Sequence, residues 1–161
     1  MRVYPISKSK KLCILCNVLT RMINSLDFER VMNSIDSFEY DFDAEDGEVD
    51  GKDILKAFRN CNWDTRLKLY KPLWPWSKVN GYYKPDRDFE VIYLNSRRFA
   101  KRTYKDCAVT ILHEIVHLVD NYDGTYRRYG HGDNSSFGKM ESAPWKISKI
   151  VIDELYDKYE I

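Results

Sequence analysis

An apolar segment with helical periodicity, Cys107 to Val119, contains the pentapeptide His-Glu-Ile-Val-His at positions 113–117. Residues four positions apart on a helix lie on one face, so His113 and His117 can direct both imidazoles at a single metal ion. Glu114, beside the first histidine, can then act as general base toward a water molecule on that ion. The alternative is a core helix in which the two histidines have no function, but burying two imidazoles without hydrogen-bond partners would cost folding free energy. The segment therefore predicts a core helix that carries the signature of a metal-dependent hydrolase.

The third and last histidine of the chain is a candidate for the remaining ligand, because a catalytic zinc ion normally has three protein ligands and a water molecule. His131 lies between two glycines in Tyr129-Gly-His-Gly132, and these let the backbone bend back toward the metal. We therefore expect His113, His117 and His131 to hold one catalytic Zn²⁺ ion. The ligand type favours zinc over other divalent ions.

Three carboxylates offer other ways to complete the site. Asp123 follows His117 by six residues, which is the position of the third ligand in an extended form of the motif, and Glu141 follows it by 24 residues. Either carboxylate, or Asp120, could instead orient a ligating histidine by accepting its second ring N–H. No residue that stabilises the transition state is evident. Candidates for that role, and for substrate or nucleic-acid contacts, are chosen by proximity alone: Tyr126, Arg127 and Tyr129.

Length and composition indicate one globular domain with a single core, since the chain has 161 residues of which 43% are hydrophobic and 32% charged. The net charge of +1 gives no overall attraction to polyanions or membranes, and no segment approaches the ~20 apolar residues that span a bilayer. The four cysteines do not form a disulfide pattern, and we interpret Cys13 and Cys16 as small apolar residues on a buried helix face. We expect a cytoplasmic location and no membrane partner.

The hydrophobic pattern divides the single domain, residues 1–161, into a helical N-terminal part, 1–62, and a second part, 63–161, with strands and the metal-binding helix. Polar and apolar residues alternate in three short segments, which predicts an antiparallel meander of three strands. The expected fold class is α+β: N-terminal helices, a small three-stranded antiparallel sheet, the active-site helix and a C-terminal helix. The predicted helices are 7–24, 26–38, 53–60 (capped by Asp50 or Asp53) and 145–159, and the predicted strands are 66–70, 79–83 and 89–94.

Three elements follow one another in the chain: the strand-like Val91-Ile-Tyr-Leu-Asn95, the segment Thr110 to His117 with its two histidines, and Gly130-His-Gly132. In this order and spacing, over roughly residues 63–142, the chain resembles the SprT-like zinc metallopeptidases. The resemblance implies a zincin-like domain with one catalytic zinc ion and a protein or peptide substrate. It also implies that the glycine-flanked His131 is the third metal ligand.

Three alternative functions use the same residues. Some SprT-like proteases act on DNA-bound proteins, and this chain has basic and aromatic side chains that suit nucleic-acid contacts. The net charge near zero instead favours the interpretation that the basic residues are solvated side chains at helix ends. A fourth protein ligand would make the zinc structural, in a non-catalytic zinc-stabilised binding domain. An amidase would share the metal chemistry; we favour hydrolysis of peptide bonds. The basic and aromatic residues concerned are Arg97, Arg98, Lys101, Arg102, Arg127, Arg128, Trp74, Trp76, Tyr82 and Tyr83.

Overall fold

A computed structural model of the chain describes residues 1–38, 49–61, 64–84, 86–88, 90–120 and 140–160. The described residues form an α+β fold, as predicted, and no helix among them has the length and hydropathy needed to cross a bilayer. Its strands are β1 (Val3–Pro5), β2 (Thr65–Tyr70), β3 (Gly81–Tyr83) and β4 (Val91–Asn95). Its helices are α1 (Lys10–Ile23), α2 (Leu26–Asn33), α3 (Gly51–Asn60), α4 (Ser96–Lys101), α5 (Tyr104–Asp120) and α6 (Ala143–Tyr159).

Each of the three N-terminal helices has a side chain that caps its N-terminus. Ser9 before α1 and Ser25 before α2 each accept a hydrogen bond from the backbone N–H three residues further on. Asp50 and Asp53 form a capping box at α3, in which each carboxylate accepts the backbone N–H of the other residue at 3.0 and 3.4 Å. The predicted capped helix after the acidic stretch is therefore confirmed. The other N-terminal helices are confirmed as well, although α2 ends at Asn33 instead of continuing to residue 38.

The four strands form one sheet in the order β1-β2-β4-β3. Strands β1 and β4 both run parallel to β2, and β3 runs antiparallel to β4. The predicted three-stranded antiparallel meander is therefore wrong, since the sheet is mixed and has four strands. Sequential strands need not be neighbours in a sheet. Here β2 and β4 pair directly because both present core-facing residues: Leu67 and Ile92 lie opposite each other and are fully buried.

Strand β1 lies in the part of the chain, residues 1–62, that the pattern assigned to helices. Its three residues are too few to show an alternating pattern. The strand is held by β2 along one side, and Thr20 of α1 bonds to it through both the N–H and the carbonyl of Val3, at 2.9 and 3.1 Å. These contacts join the helical N-terminal part to the sheet.

Helix α5 lies at the centre of the core. Helices α1, α3 and α6 pack against it, as do strands β3 and β4. Each fully buried leucine or isoleucine contributes roughly 2 kcal/mol to folding. This burial determines the rotation of α5 about its axis, and hence the direction in which its polar residues point. The fully buried apolar side chains of α5 are Ala108, Ile111, Leu112, Ile115, Val116, Leu118 and Val119.

Candidate active site

The helix predicted around positions 113–117 is confirmed as α5, and it brings His113 and His117 together. Their ring centres are 5.0 Å apart and their planes are inclined by 75°. Two imidazoles that bind one tetrahedral zinc ion, with Zn–N distances of about 2.1 Å, have ring centres about 5 Å apart. His113 is buried and His117 is half-buried. The pair therefore fits the separation that a shared zinc ion requires.

The predicted third ligand, His131, lies outside the described residues, so its role stays a prediction. Asp123, the alternative third ligand, also lies outside them. The same is true of the three residues suggested for substrate or nucleic-acid contacts, Tyr126, Arg127 and Tyr129. Asp120 is the last residue of α5, and its side chain is not among those described.

Glu141, the other rival ligand, precedes α6 and is described. Its carboxylate forms an ion pair with Lys146 at 2.7 Å. Within the described residues, no three histidine, cysteine, aspartate or glutamate side chains converge as a metal-binding group. In this part of the chain the structure thus brings the rings of His113 and His117 together and places His113 and Glu114 along one cleft, but it does not add Glu141 to them.

The two cysteines of the first helix have different surroundings. Cys13 is exposed and Cys16 is buried, so the interpretation of both as core residues is right only for Cys16. Burial, and to a smaller extent the nearby Cys13, raise the pKa of the Cys16 thiol to about 12. A thiol with so high a pKa is a poor metal ligand and a poor nucleophile. Cys61 and Cys107 are free and buried.

Glu114 lies between α5 and strand β3, with 9% of its surface exposed. Burial disfavours the charged carboxylate and raises the pKa of Glu114 from 4.5 to about 7. The backbone N–H of Tyr83 in β3 donates a hydrogen bond to this carboxylate, which lowers its pKa by a smaller amount. The carboxyl group is therefore oriented by the strand and titrates near neutral pH, as a residue that both accepts and returns a proton should.

A cleft of about 200 Å³ opens beside these residues. One wall is the chain that enters β3, and the other walls come from α5 and α6. Gly81 allows the close approach of β3, because a Cβ atom there would lie 3.1 Å from the Tyr93 carbonyl oxygen and 3.3 Å from the Thr110 methyl group. The residues that line the cleft are Val79, Asn80, Gly81, Thr110, His113, Glu114 and Trp145.

Trp145 is a site residue that the sequence reasoning missed. It lies in the first turn of α6, and its ring packs edge-on against His113, with centroids 4.6 Å apart and planes inclined by 62°. This contact restricts rotation of the His113 imidazole. The residue was visible in the sequence only as the start of the predicted last helix; nothing local linked it to a histidine 32 positions earlier.

Asn95 was noted in the sequence only as the end of a strand-like segment, and the structure shows that it holds the chain that forms the cleft wall. It is 1% exposed, its side-chain amide donates to the Val79 carbonyl at 2.9 Å, and its backbone N–H donates to the Asn80 carbonyl at 2.9 Å. Its side-chain oxygen also caps α4 by accepting the backbone N–H groups of Arg97 and Arg98. Asn95 thus joins the end of β4, the start of α4 and the cleft wall.

The basic segment that suggested nucleic-acid contacts is partly engaged within the protein. Arg98 donates to the side chain of Asn80, and Arg102 donates to the Thr110 hydroxyl at 2.7 Å. Arg102 also donates to the carbonyl of Asp106 at 2.7 Å. These two guanidinium groups stabilise the surroundings of the cleft and are less available to an external phosphate.

Comparisons of the chain with protein-family models, with curated proteins and with solved structures find no match.

Proposed function

We propose that this chain is a zinc-dependent metallopeptidase with a zincin-like α+β domain, in which Glu114 is the general base. The observation that carries the proposal is the arrangement on α5: two imidazoles with centres 5.0 Å apart and, between them in sequence, a buried carboxyl group with a pKa of about 7. This group lines a cleft of about 200 Å³ that the described residues form. A core helix has no structural need for that combination of buried ionisable groups.

The metal-binding residues in this proposal are His113, His117 and the predicted His131. Neutral imidazole nitrogens in this number are typical of catalytic zinc. When bound, a zinc ion lowers the pKa of a water molecule from ~15.7 toward ~7 and polarises a carbonyl group.

Glu114 moves the proton in the proposed reaction. Its carboxylate accepts a proton from the attacking water molecule and then delivers that proton to the nitrogen of the leaving amine. A pKa of about 7 suits both steps at neutral pH. The hydrogen bond from the Tyr83 N–H keeps the carboxylate in one orientation, so that little reorganisation is needed before the proton is transferred.

Strand β3 offers a way to bind an extended peptide. It is the last strand of the described sheet, so one of its sides has no neighbouring strand there. An extended peptide can add to such an edge through main-chain hydrogen bonds to groups other than the Tyr83 N–H, which Glu114 already accepts, and these bonds give affinity without demanding a particular sequence. The peptide would then lie along the cleft wall and close to Glu114. This arrangement favours peptide bonds over the small amides that an amidase would take.

The replacement Glu114→Gln tests the proposal directly. The variant should bind zinc with the same stoichiometry as the wild type and lose at least about a thousandfold in turnover of an unfolded protein substrate, because the general base is absent. Glu154→Gln, at an exposed position of α6, is the matched control and should keep both properties.

The decisive measurements are metal content by mass spectrometry and cleavage of a fluorescently labelled unfolded substrate. Turnover that survives in Glu114→Gln would remove this residue from the base role. Wild-type protein that neither binds zinc nor cleaves any peptide would overturn the whole proposal.

The alternatives differ in their tests. A DNA-associated protease would show cleavage that depends on DNA and DNA binding that weakens steeply with salt. The internal hydrogen bonds of Arg98 and Arg102 do not favour it. A non-catalytic zinc-stabilised domain would bind zinc without turnover in any condition. We also propose a cytoplasmic, reducing location, which the four free thiols support.

A further inference from the structure

An exposed apolar surface lies beside the cleft, in the connection from β2 to β3. Four of the seven large apolar side chains that are exposed in the described part of the chain fall within seven consecutive positions. We call this surface the aromatic patch; it consists of Leu73, Trp74, Trp76 and Val79, which are 95%, 63%, 72% and 49% exposed. Patches on the order of a few hundred Å² on a monomer frequently mark a binding site.

The aromatic patch has a defined shape. The rings of Trp74 and Trp76 lie 5.4 Å apart at an angle of 33°, and the Ser77 N–H donates to the Trp74 carbonyl in the turn between them. Val79, at the end of the patch, is held by the side-chain amide of Asn95 at 2.9 Å. The Val79 end of the patch is therefore anchored to the end of β4.

The aromatic patch is continuous with the proposed active site. Val79 belongs to both surfaces, since it also lines the cleft next to Gly81 and Glu114. Trp76 precedes Val79 by three residues, a length of chain that spans at most about 11 Å. A peptide that crosses the cleft in an extended form covers this distance in about three residues. Substrate side chains about three residues from the scissile bond can therefore reach Trp76.

We propose that the aromatic patch binds bulky apolar side chains of the polypeptide substrate, two to four residues from the scissile bond. The enzyme then selects segments rich in leucine, phenylalanine or tryptophan, which folded proteins bury and unfolded chains expose. This inference rests on the proposed peptidase function and deepens it. Two exposed lysines, Lys71 and Lys78, flank the patch and add a preference for acidic residues around the apolar ones.

The test compares two peptides that differ only at a position three residues from the cleaved bond, where one has phenylalanine and the other serine. Wild-type protein should cleave the phenylalanine peptide with a kcat/KM about tenfold higher, the usual size of discrimination by an apolar contact. In the double variant Trp74→Ser, Trp76→Ser the preference should fall to about twofold or less. The control Leu26→Ser, which removes an apolar side chain that is 83% exposed on α2, should keep the full preference.

A binding measurement separates this inference from the proposed reaction. Fluorescence anisotropy of the labelled peptides with the Glu114→Gln protein reports binding without cleavage. If the wild type cleaves both peptides equally, the patch inference is wrong and the peptidase proposal stands. If no peptide is cleaved by any variant, but tight binding of the phenylalanine peptide disappears in the double variant, the patch inference stands and the peptidase proposal fails.

The same experiment also tests two other binding partners for the aromatic patch, a membrane surface and single-stranded DNA. Tryptophans flanked by lysines also suit a membrane surface, so vesicles of neutral and of anionic phospholipid are included. Vesicle binding that depends on Trp74 and Trp76, with unchanged peptide preference, overturns the inference in favour of a membrane contact. Single-stranded DNA that binds through the two tryptophans, again with unchanged peptide preference, overturns it in favour of base stacking. Thermal unfolding of the double variant should match that of the wild type, because both side chains are exposed.

Discussion

Replacing Glu114 with glutamine should stabilise the metal-free protein at pH 8 and change its stability little in mild acid. Burial raises the pKa of Glu114 from 4.5 to about 7, so the folded protein binds a proton at this carboxyl more tightly than the unfolded chain does. The stability that accompanies the protonated form is complete below pH 4.5 and is lost as the pH rises through about 7. This interval of about 2.5 pH units corresponds to about 3 kcal/mol.

Glutamine is neutral at every pH and keeps a carbonyl oxygen that can accept the Tyr83 N–H. The free energy of unfolding of Glu114→Gln should therefore exceed that of the wild type by about 3 kcal/mol at pH 8, but by less than about 1 kcal/mol at pH 5. In thermal unfolding, the gain at pH 8 should appear as an increase in Tm of about 10 °C.

The assay is urea unfolding of both proteins in the presence of a chelator, at intervals between pH 5 and 8. Both proteins contain His113 and His117, so the difference between them isolates the titration of Glu114. Glu154→Gln, at an exposed position, gives the baseline for a glutamate-to-glutamine exchange. A difference that stays constant across this pH range, or that shrinks toward pH 8, would refute the account of Glu114 as a buried acid.

Three further replacements test the surroundings of the cleft. Trp145→Ala should weaken zinc binding about tenfold in a metal titration, since the His113 ring loses the contact that restricts it, whereas Trp145→Phe should keep most of the affinity. Asn95→Ala should lower the free energy of unfolding by about 2 kcal/mol in urea, because the Val79 carbonyl and the first N–H groups of α4 lose their partner; an unchanged midpoint would contradict this. Gly81→Val should reduce kcat with zinc content unchanged, because the added atoms displace β3 from α5; a wild-type kcat would show that the close approach is not needed.

Local patterns were sufficient to locate most of the helices, although α4 was not predicted and α2 ends five residues earlier than expected. The apolar spacing around His113 predicted α5, and the four-residue separation of the two histidines predicted that their rings would meet. The acidic residues at positions 50 and 53 predicted a capped helix. In each case the interacting residues lie within one or two helical turns, so the sequence alone contains the whole interaction.

The order of the strands could not be read in this way. The alternation in residues 66–70 and 89–94 located β2 and β4 within two residues, but their direct parallel pairing depends on burial across the whole core. Strand β1 was missed because its three residues are too few to show an alternating pattern. The sequence of one strand does not specify which other strand it pairs with, because that pairing is decided by the packing of the folded chain.

The sequence by itself determined the chemistry that this protein can carry: two imidazoles and a carboxylate on one helix, spaced by the geometry of that helix. Only the tertiary structure decided the environment of those groups. The burial of Glu114, its hydrogen bond to strand β3, the contact of Trp145 with His113 and the support of the cleft wall by Asn95 all join residues distant in the chain. Such contacts depend on how whole helices and strands pack, and the packing is set by the combined burial of the core.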